Sequence, residues 1–533
     1  MANESTPYSD EAKSVTLFLL KLKNKLFRRD HTIYAILTVY SFFIMLFCTK
    51  SSPLYVFNDW YDANGYFTMG KGLMNGRVLY VDLIDGKGPF LYFIYGLAWL
   101  FDNTGFFGVY LFQAMFVSIS IIYVYRISQL FIENEQIALL IAIISPAPML
   151  IQRFYSLGYN FGGGGPDEFA RSLMIVSLYY FTLYYVDTEK YRLRHTFIQG
   201  VLFSCVFLMK FNLTVFWLGY LLSIAIGMIY AGRVRYLLRH AAVFVLGALL
   251  TIFPYIIYGA ATRSLGAFWD SYFLFNRLYT NPNESSIMRA AGAFVDAIRF
   301  LGSLWVFLLL LIIGLIFVLR TCKTGFKVGY ILSILLLFNA VFYTTYSFAT
   351  IYIPLTVLIV LAMAALGAFA QRYVNKRVFS RLEKFVAVGL VIASTIGMNN
   401  LVTYELFLSN SKTAQQQMAE IILQRTRSDS PTLLEINGLD SGFYTATGII
   451  PDEPFFYIPN ISHEDYPYPH EAQKSAVSEG HYEFVIIGTR RWNDAPNDYN
   501  IRILYDEIHV LQGTGYQSGF LYHLFQLKPN NSE

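Results

Sequence analysis

The sequence predicts an all-α polytopic membrane protein with about eleven transmembrane helices, followed by a small C-terminal extracytoplasmic α/β domain. Only 14% of the 533 residues are charged and 55% are hydrophobic, whereas a soluble domain carries about 25% charged residues. Apolar stretches of about 15–23 residues alternate with short polar breaks, and a helix of this length crosses a hydrocarbon core of ~30 Å. From position 412 onward the chain is polar, which indicates a separate domain outside the membrane.

The positions of Lys and Arg predict the orientation. The segment 1–31 carries a basic run from Lys21 to Arg29 directly before the first apolar stretch, so the positive-inside rule places it in the cytoplasm. Four of the five breaks predicted to be cytoplasmic contain clusters of Lys and Arg, the weak case being the break after the second span. The predicted spans cover about 32–49, 106–128, 137–152, 169–187, 196–211, 213–231, 238–259, 299–319, 327–343, 350–371 and 384–402.

This orientation predicts a transmembrane domain over 32–402 with three external segments, namely the loops at about 50–105 and 260–298 and the tail 403–533. The apolar run Pro89–Phe101 within the first loop is too short for a full span, so we interpret it as an interfacial or re-entrant helix. The tail has one helical stretch and three strand-like runs, typical of a small α/β domain: Thr413–Arg425, Thr432–Ile436, Glu483–Gly488 and Tyr522–Leu527.

Composition also excludes several classes of function. A net charge of +4 without a run of Lys and Arg interleaved with aromatic residues argues against nucleic-acid binding. Cys48, Cys205 and Cys322 have no metal-ligand spacing, and their predicted positions at different depths argue against a disulfide.

The first predicted external loop contains four carboxylates beside aromatic residues and glycines: Asp59, Asp62, Asp82 and Asp85. Each alone is compatible with a solvated loop in which Asp caps a helix and Gly forms a turn. The cluster at an apolar interface is harder to explain in this way, because burying a carboxylate has a desolvation cost. It therefore indicates a site that binds a proton, a substrate or another partner.

Three further features suggest chemistry near the external ends of the spans. The turn Gly162–Arg171 leads into a helix with Asp167 and Glu168 in its first turn, where acids also serve as ordinary complements of the helix dipole. Lys210 lies close to the external ends of two spans; it either binds an anion such as a lipid-linked phosphate or extends its amine to the head-group level. Arg277 lies in an aromatic segment, Phe268–Tyr279, that fits either carrier docking or an interfacial aromatic belt.

The first loop resembles that of the GT-C fold glycosyltransferases, the polytopic enzymes that include the protein O-mannosyltransferases and the lipid A aminoarabinose transferase. Its similarity is greatest to bacterial relatives that decorate cell-envelope polysaccharides. The sequence has Ala63 where many relatives have Glu after the loop Asp, which leaves Asp59 as an alternative to Asp62. The matching residues are Asp62, Tyr66, Gly76, Tyr80, Asp82, Asp85, Lys87, Gly88 and Pro89.

The resemblance implies an inverting glycosyltransferase of the bacterial plasma membrane that uses a polyprenyl-phosphate sugar as donor on the outer face. The acceptor would be a polysaccharide, a teichoic acid or a glycolipid. Asp62, or alternatively Asp59, would act as the base, and Asp167 would face the same cavity. Lys87, Lys210, Arg153 and Arg171 would stabilise the departing phosphate. The remaining candidates for binding substrate or carrier are Tyr80, Asp82, Asp85, Glu168 and Arg277.

The resemblance requires no cofactor, although a divalent metal bound by Asp62 and Asp167 stays an alternative. A second hypothesis is a flippase or transporter of a lipid-linked sugar, which charged residues within the membrane and broken helices would favour. The concentration of acids in an external loop and the lack of an internal repeat favour the transferase.

Overall fold

The structure is a computed structural model that describes residues 29–150, 163–279, 285–343, 349–373, 406–436, 438–490 and 498–529. Its membrane part is helical. The first ten helices are α1 (Arg29–Cys48), α2 (Tyr61–Met74), α3 (Pro89–Trp99), α4 (Phe107–Ser128), α5 (Glu135–Ile144), α6 (Pro146–Leu150), α7 (Pro166–Val186), α8 (Leu193–Phe207), α9 (Val215–Tyr230) and α10 (Val234–Ala261). Short helical turns over 265–277 precede α11 (Ser286–Ser303), α12 (Trp305–Thr321), α13 (Thr324–Phe342) and α14 (Val360–Tyr373).

Among the described residues, seven helices are long and apolar enough to cross a membrane. An eighth span results if α11 and α12, which meet at 106°, are counted together. The predicted spans at about 137–152 and 196–211 correspond to shorter apolar helices, Glu135–Met149 and Leu193–Phe207, and the predicted span 384–402 lies outside the described residues. The prediction of an all-α polytopic membrane domain is confirmed.

Helix α3 has 11 residues, too few to cross the hydrocarbon core. Pro89 occupies its first turn, where the missing N–H costs nothing. The preceding Gly88 donates its N–H to the Met209 carbonyl at 3.2 Å, and Phe90 donates to the Leu208 carbonyl at 3.1 Å. A Cβ atom at Gly88 would overlap the backbone of Leu208. This glycine therefore allows the first loop to pack against the end of α8, beside Lys210.

The C-terminal domain contains α15 (Ala414–Arg425), α16 (Phe443–Thr447), α17 (Tyr468–Ser478) and a four-stranded sheet. The strands are β1 (Leu433–Ile436), β2 (Phe484–Arg490), β3 (Tyr505–Gln512) and β4 (Phe520–Leu527), in the order β1-β2-β4-β3. The β1–β2 pair is parallel, with Leu433 opposite Phe484, and the other two pairs are antiparallel. The predicted helix and the three predicted strands are confirmed, whereas the sequence interpretation missed β3 and α17.

The two faces of this sheet are buried differently. Val485 and Ile487 pack with Ala476 and other residues in a small core of the domain. Phe484 and Ile486 instead join the main hydrophobic core, which continues into the membrane part. The domain therefore packs directly on the membrane part through one apolar face of its sheet.

Polar contacts fix the domain to the first loop. The buried Lys71 of α2 donates to the carbonyls of Tyr444 and Ile449 at 2.7 and 2.6 Å. Thr68 donates to Asp440 at 2.7 Å. The other predicted external loop, about 260–298, also contacts the first loop, since Asn276 donates to the Gly86 carbonyl at 2.6 Å. Because all three segments meet, they lie on the same side of the membrane.

Candidate active site

A cavity of about 860 Å³ lies between the first loop, the ends of the membrane helices beside that loop and the C-terminal domain. Residues of α2 and the 85–87 turn form one part of its lining, and the start of α7 and the 209–215 segment form a second. Its charged lining residues are Asp62, Asp85, Lys87, Asp167, Lys210, Arg277, Arg289 and Asp440. Five of the residues singled out from sequence as charged site residues therefore share one cavity with Asp62.

Asp62 lies in the first turn of α2 and is partly exposed to the cavity. Its carboxylate makes no hydrogen bond or ion pair with any residue that the structure describes. Burial raises the pKa of Asp62 to about 6, with Asp85 raising it further and Lys87 and Lys210 opposing the shift. A carboxylate with such a pKa is largely ionised at neutral pH and takes up a proton readily, which is what a general base requires.

Each of the other three acids of the cavity accepts hydrogen bonds or forms an ion pair. Asp85 accepts hydrogen bonds from the hydroxyls of Tyr92 and Tyr457 at 2.6 and 2.5 Å and from the Gly86 N–H at 2.6 Å. Its two oxygens are thus held by three donors. This arrangement fixes the turn that carries Lys87.

Asp167 and Lys210 form a bidentate ion pair, with the Lys210 amine 2.9 Å from both carboxylate oxygens. Asp167 is almost fully buried, while Lys210 is partly exposed. The remaining acid, Asp440, accepts from Thr68 and from the Gly442 N–H at 2.8 Å. The sequence did not point to Asp440.

Four cationic side chains line the cavity: Lys87, Lys210, Arg277 and Arg289. Lys87 is partly exposed and pairs with no described residue through its amine. Arg289 was not predicted; it donates to the carbonyls of Phe342 and Tyr343 at 2.6 Å each and pairs with Asp296 at 3.1 Å. Together these cations make the cavity suitable for an anionic group.

Several predicted site residues lie outside the lining. Asp59 is 1% exposed, pairs with the buried Lys50 at 2.5 Å, and accepts from the Tyr516 N–H at 2.6 Å. Asp82 accepts from the Val78 N–H at 2.7 Å, a local turn contact. The contact of Asp82 is local to the loop, whereas those of Asp59 hold the loop to the C-terminal domain.

Tyr80 has a positive φ of 68° and donates to the Lys87 carbonyl at 2.8 Å. Glu168 accepts from Gln113 at 2.9 Å and from the Gly164 N–H at 3.1 Å. Arg171 is buried and donates to the Met149 carbonyl at 2.8 Å. Arg153 lies outside the described residues.

The described residues contain no group of three or more His, Cys, Asp and Glu side chains placed to hold a metal ion. Asp62 and Asp167 both line the cavity, but the Lys210 amine occupies both oxygens of Asp167. A divalent metal at these two acids would have to displace that amine. The described donor set therefore fits a metal poorly.

The C-terminal domain adds residues that the sequence interpretation did not identify: Leu439, Asp440, Tyr457, Asn460 and Tyr516. Nothing in the local sequence places them near the first loop, since they follow its end by more than 330 positions. The aromatic run Phe455–Tyr457 in an otherwise polar tail was one available signal of burial.

The sequence profile of the family described as dolichyl-phosphate-mannose-protein mannosyltransferase matches residues 87–258, about a third of the chain. No curated protein matches the chain in sequence. The structure is similar to that of ArnT from Cupriavidus metallidurans bound to undecaprenyl phosphate, with a TM-score of 0.60 at 12% identity, covering 92% of this chain and 97% of that one. Apo ArnT from the same organism gives a TM-score of 0.57 at 12% identity and the same coverage.

An oligosaccharyltransferase from Archaeoglobus fulgidus, in complex with Zn and sulfate, has a TM-score of 0.51 at 13% identity, with 85% of this chain and 67% of that one covered. The chain is thus a multi-pass membrane protein with the GT-C fold. The GT-C fold that the resemblance of the first loop implied is confirmed.

Proposed function

We propose that this protein is an inverting glycosyltransferase that moves a sugar from a polyprenyl-phosphate carrier to a polysaccharide or glycolipid of the bacterial cell envelope, on the outer face of the plasma membrane. The observation that carries this proposal is Asp62. Among the four acids that line the cavity, it alone has no hydrogen-bond or ion-pair partner in the described part of the chain, whereas cations lie around it.

In the proposed reaction, an acceptor hydroxyl attacks the anomeric carbon while the bond from that carbon to the phosphate oxygen breaks. Asp62 takes the hydroxyl proton, and the carrier phosphate leaves with the bonding electrons. A phosphate is a stable leaving anion, so it needs positive charge more than a proton donor. Lys87, Lys210 and Arg277 supply that charge from the cavity wall.

The donor class is supported by the apolar side of the cavity, which is lined by Phe207, Met209, Phe211, Val215 and Phe273. A cavity with an apolar wall beside four cations suits an anionic head group attached to a lipid tail. The likeness to an ArnT structure bound to undecaprenyl phosphate supports the same donor class.

The proposal is tested with purified protein and a panel of polyprenyl-phosphate monosaccharides carrying a labelled sugar, with extracted envelope polysaccharide as acceptor. We expect label in the polysaccharide, with the anomeric configuration inverted relative to the donor. Movement of labelled lipid across a vesicle membrane without covalent product would instead support a flippase.

The outer location of the site is tested by cysteine labelling in a background without the three native cysteines. We expect Asn103→Cys, in the exposed part of the first loop, to react with a membrane-impermeant maleimide in intact cells. Lys190→Cys, at an exposed position in a predicted cytoplasmic break, is the matched control and should react only after permeabilisation. The reverse pattern would place the cavity on the cytoplasmic side and contradict the proposal.

A further inference from the structure

The two sides of the cavity differ in chemistry. Among the residues that the structure describes, the four cationic side chains that line the cavity all belong to the membrane part and its loops, and the five lining residues of the C-terminal domain include no cation. Opposite charges attract, so the membrane side suits the phosphate of the proposed donor. The side formed by the domain is left for a group without negative charge.

The side formed by the domain consists mainly of groups that bind neutral hydroxyls. Tyr457 and Tyr516 present rings with an apolar face and a polar edge. Asn460 is exposed to the cavity, and its amide makes no hydrogen bond with any described residue. An amide offers two donors and an acceptor, which matches the hydroxyls of a sugar. The fourth polar residue, Asp440, is already held by Thr68 and Gly442 and would repel an anion.

Tyr457 and Tyr516 contact the loop that carries the proposed base. Tyr457 donates to Asp85 at 2.5 Å. The backbone N–H of Tyr516 donates to Asp59 at 2.6 Å, and the Tyr516 ring lies 5.6 Å from that of Tyr61, in edge-to-face geometry. Tyr61 directly precedes Asp62 and also lines the cavity. A group bound on this side therefore lies next to Asp62.

We propose that Tyr457, Asn460 and Tyr516 form an acceptor subsite for a neutral, hydroxyl-rich carbohydrate. This inference rests on the proposed function and deepens it, because it assigns the acceptor to the C-terminal domain and favours a neutral glycan over a phosphate-bearing polymer. The domain then acts as one wall of the active site, and its contacts with the first loop place the acceptor hydroxyl beside the base.

The experiment measures binding of the detergent-purified full chain to an array of neutral and phosphate-bearing bacterial polysaccharides, and in parallel to undecaprenyl phosphate. The variants are Asn460→Ala and Tyr516→Ala, the latter of which keeps the backbone bond to Asp59. Matched controls are Asn103→Ala and Tyr468→Ala, which remove an exposed amide and an exposed ring outside the cavity.

We expect each subsite variant to lose about tenfold in affinity for neutral glycans, while undecaprenyl phosphate binding and both controls stay within about twofold of wild type. Three results would overturn the inference. They are unchanged glycan binding in both variants, an equal loss of glycan and lipid binding, and a wild-type protein that binds only phosphate-bearing polymers. A different result would contradict the proposed function itself: a wild-type protein that binds neutral glycans but neither binds undecaprenyl phosphate nor transfers sugar.

Discussion

Replacing Asp62 with Asn is expected to lower kcat for sugar transfer by about 10²–10⁴-fold, the range of a positioned general base. Asn has nearly the same shape but cannot take the proton from the acceptor hydroxyl. Folding is expected to be unaffected, because the Asp62 carboxylate makes no hydrogen bond or ion pair with the described residues. Burial raises the pKa of Asp62, which means that its ionised carboxylate is less stable in the folded protein than in water. A neutral Asn therefore removes a small cost of folding.

The measurement compares initial rates and thermal unfolding of the wild type and Asp62→Asn in the same detergent. Asp82→Asn is the matched control, since Asp82 lies in the same loop and, among the described residues, accepts only from the Val78 N–H. The Asn oxygen can accept the same hydrogen bond. This control should keep activity within a few-fold. Full activity of Asp62→Asn would remove the residue from the mechanism.

The pH profile provides a second readout of the same residue. Because the pKa of Asp62 is raised to about 6, the residue is protonated below that pH and cannot accept the acceptor proton. The rate of the wild type should therefore fall tenfold per pH unit below about pH 6 and level off above it. The residual activity of Asp62→Asn should lack this acidic limb.

Replacing Lys50 with Met is expected to destabilise the protein by about 3–5 kcal/mol, the cost of leaving a buried charge without its partner. Lys50 and Asp59 are 4% and 1% exposed and lie 2.5 Å apart. Asp59 also accepts from the N–H of Tyr516 in the C-terminal domain. Loss of the cation should therefore loosen the attachment of the domain to the first loop. The destabilisation is measured as a lower midpoint of thermal unfolding in detergent.

The double variant Lys50→Met/Asp59→Asn should recover most of this stability and also activity, because no unpaired charge is left and the Asn oxygen can still accept from Tyr516. Lys412→Met is the matched control: the Lys412–Glu420 pair is about half exposed on both sides, so its loss should cost no more than about 1 kcal/mol. A double variant that is folded but inactive would show that Asp59 takes part in the chemistry.

The first loop shows how far the sequence could predict the site. Asp62, Asp85 and Lys87 lie within 26 positions of one another, and the loop motif was enough to group them. The same motif could not decide whether Asp59 or Asp62 is the base, since Asp59 lies just before α2 and Asp62 lies in its first turn. What separates them is Lys50, which neutralises Asp59, and Tyr516, which arrives from the far end of the chain.

The sequence by itself determined the helical membrane domain, the strands of the tail except β3, and the acids of the first loop. These follow from local patterns: hydrophobic runs of span length, alternation in strands, and clusters of charge within one loop. The tertiary structure alone decided which acid of the cavity has no partner among the described residues, that Lys210 pairs with Asp167, and that the C-terminal domain forms a wall of the cavity. These properties depend on which distant groups form a hydrogen bond or ion pair with each carboxylate. The packing of segments that are far apart in sequence determines those partners.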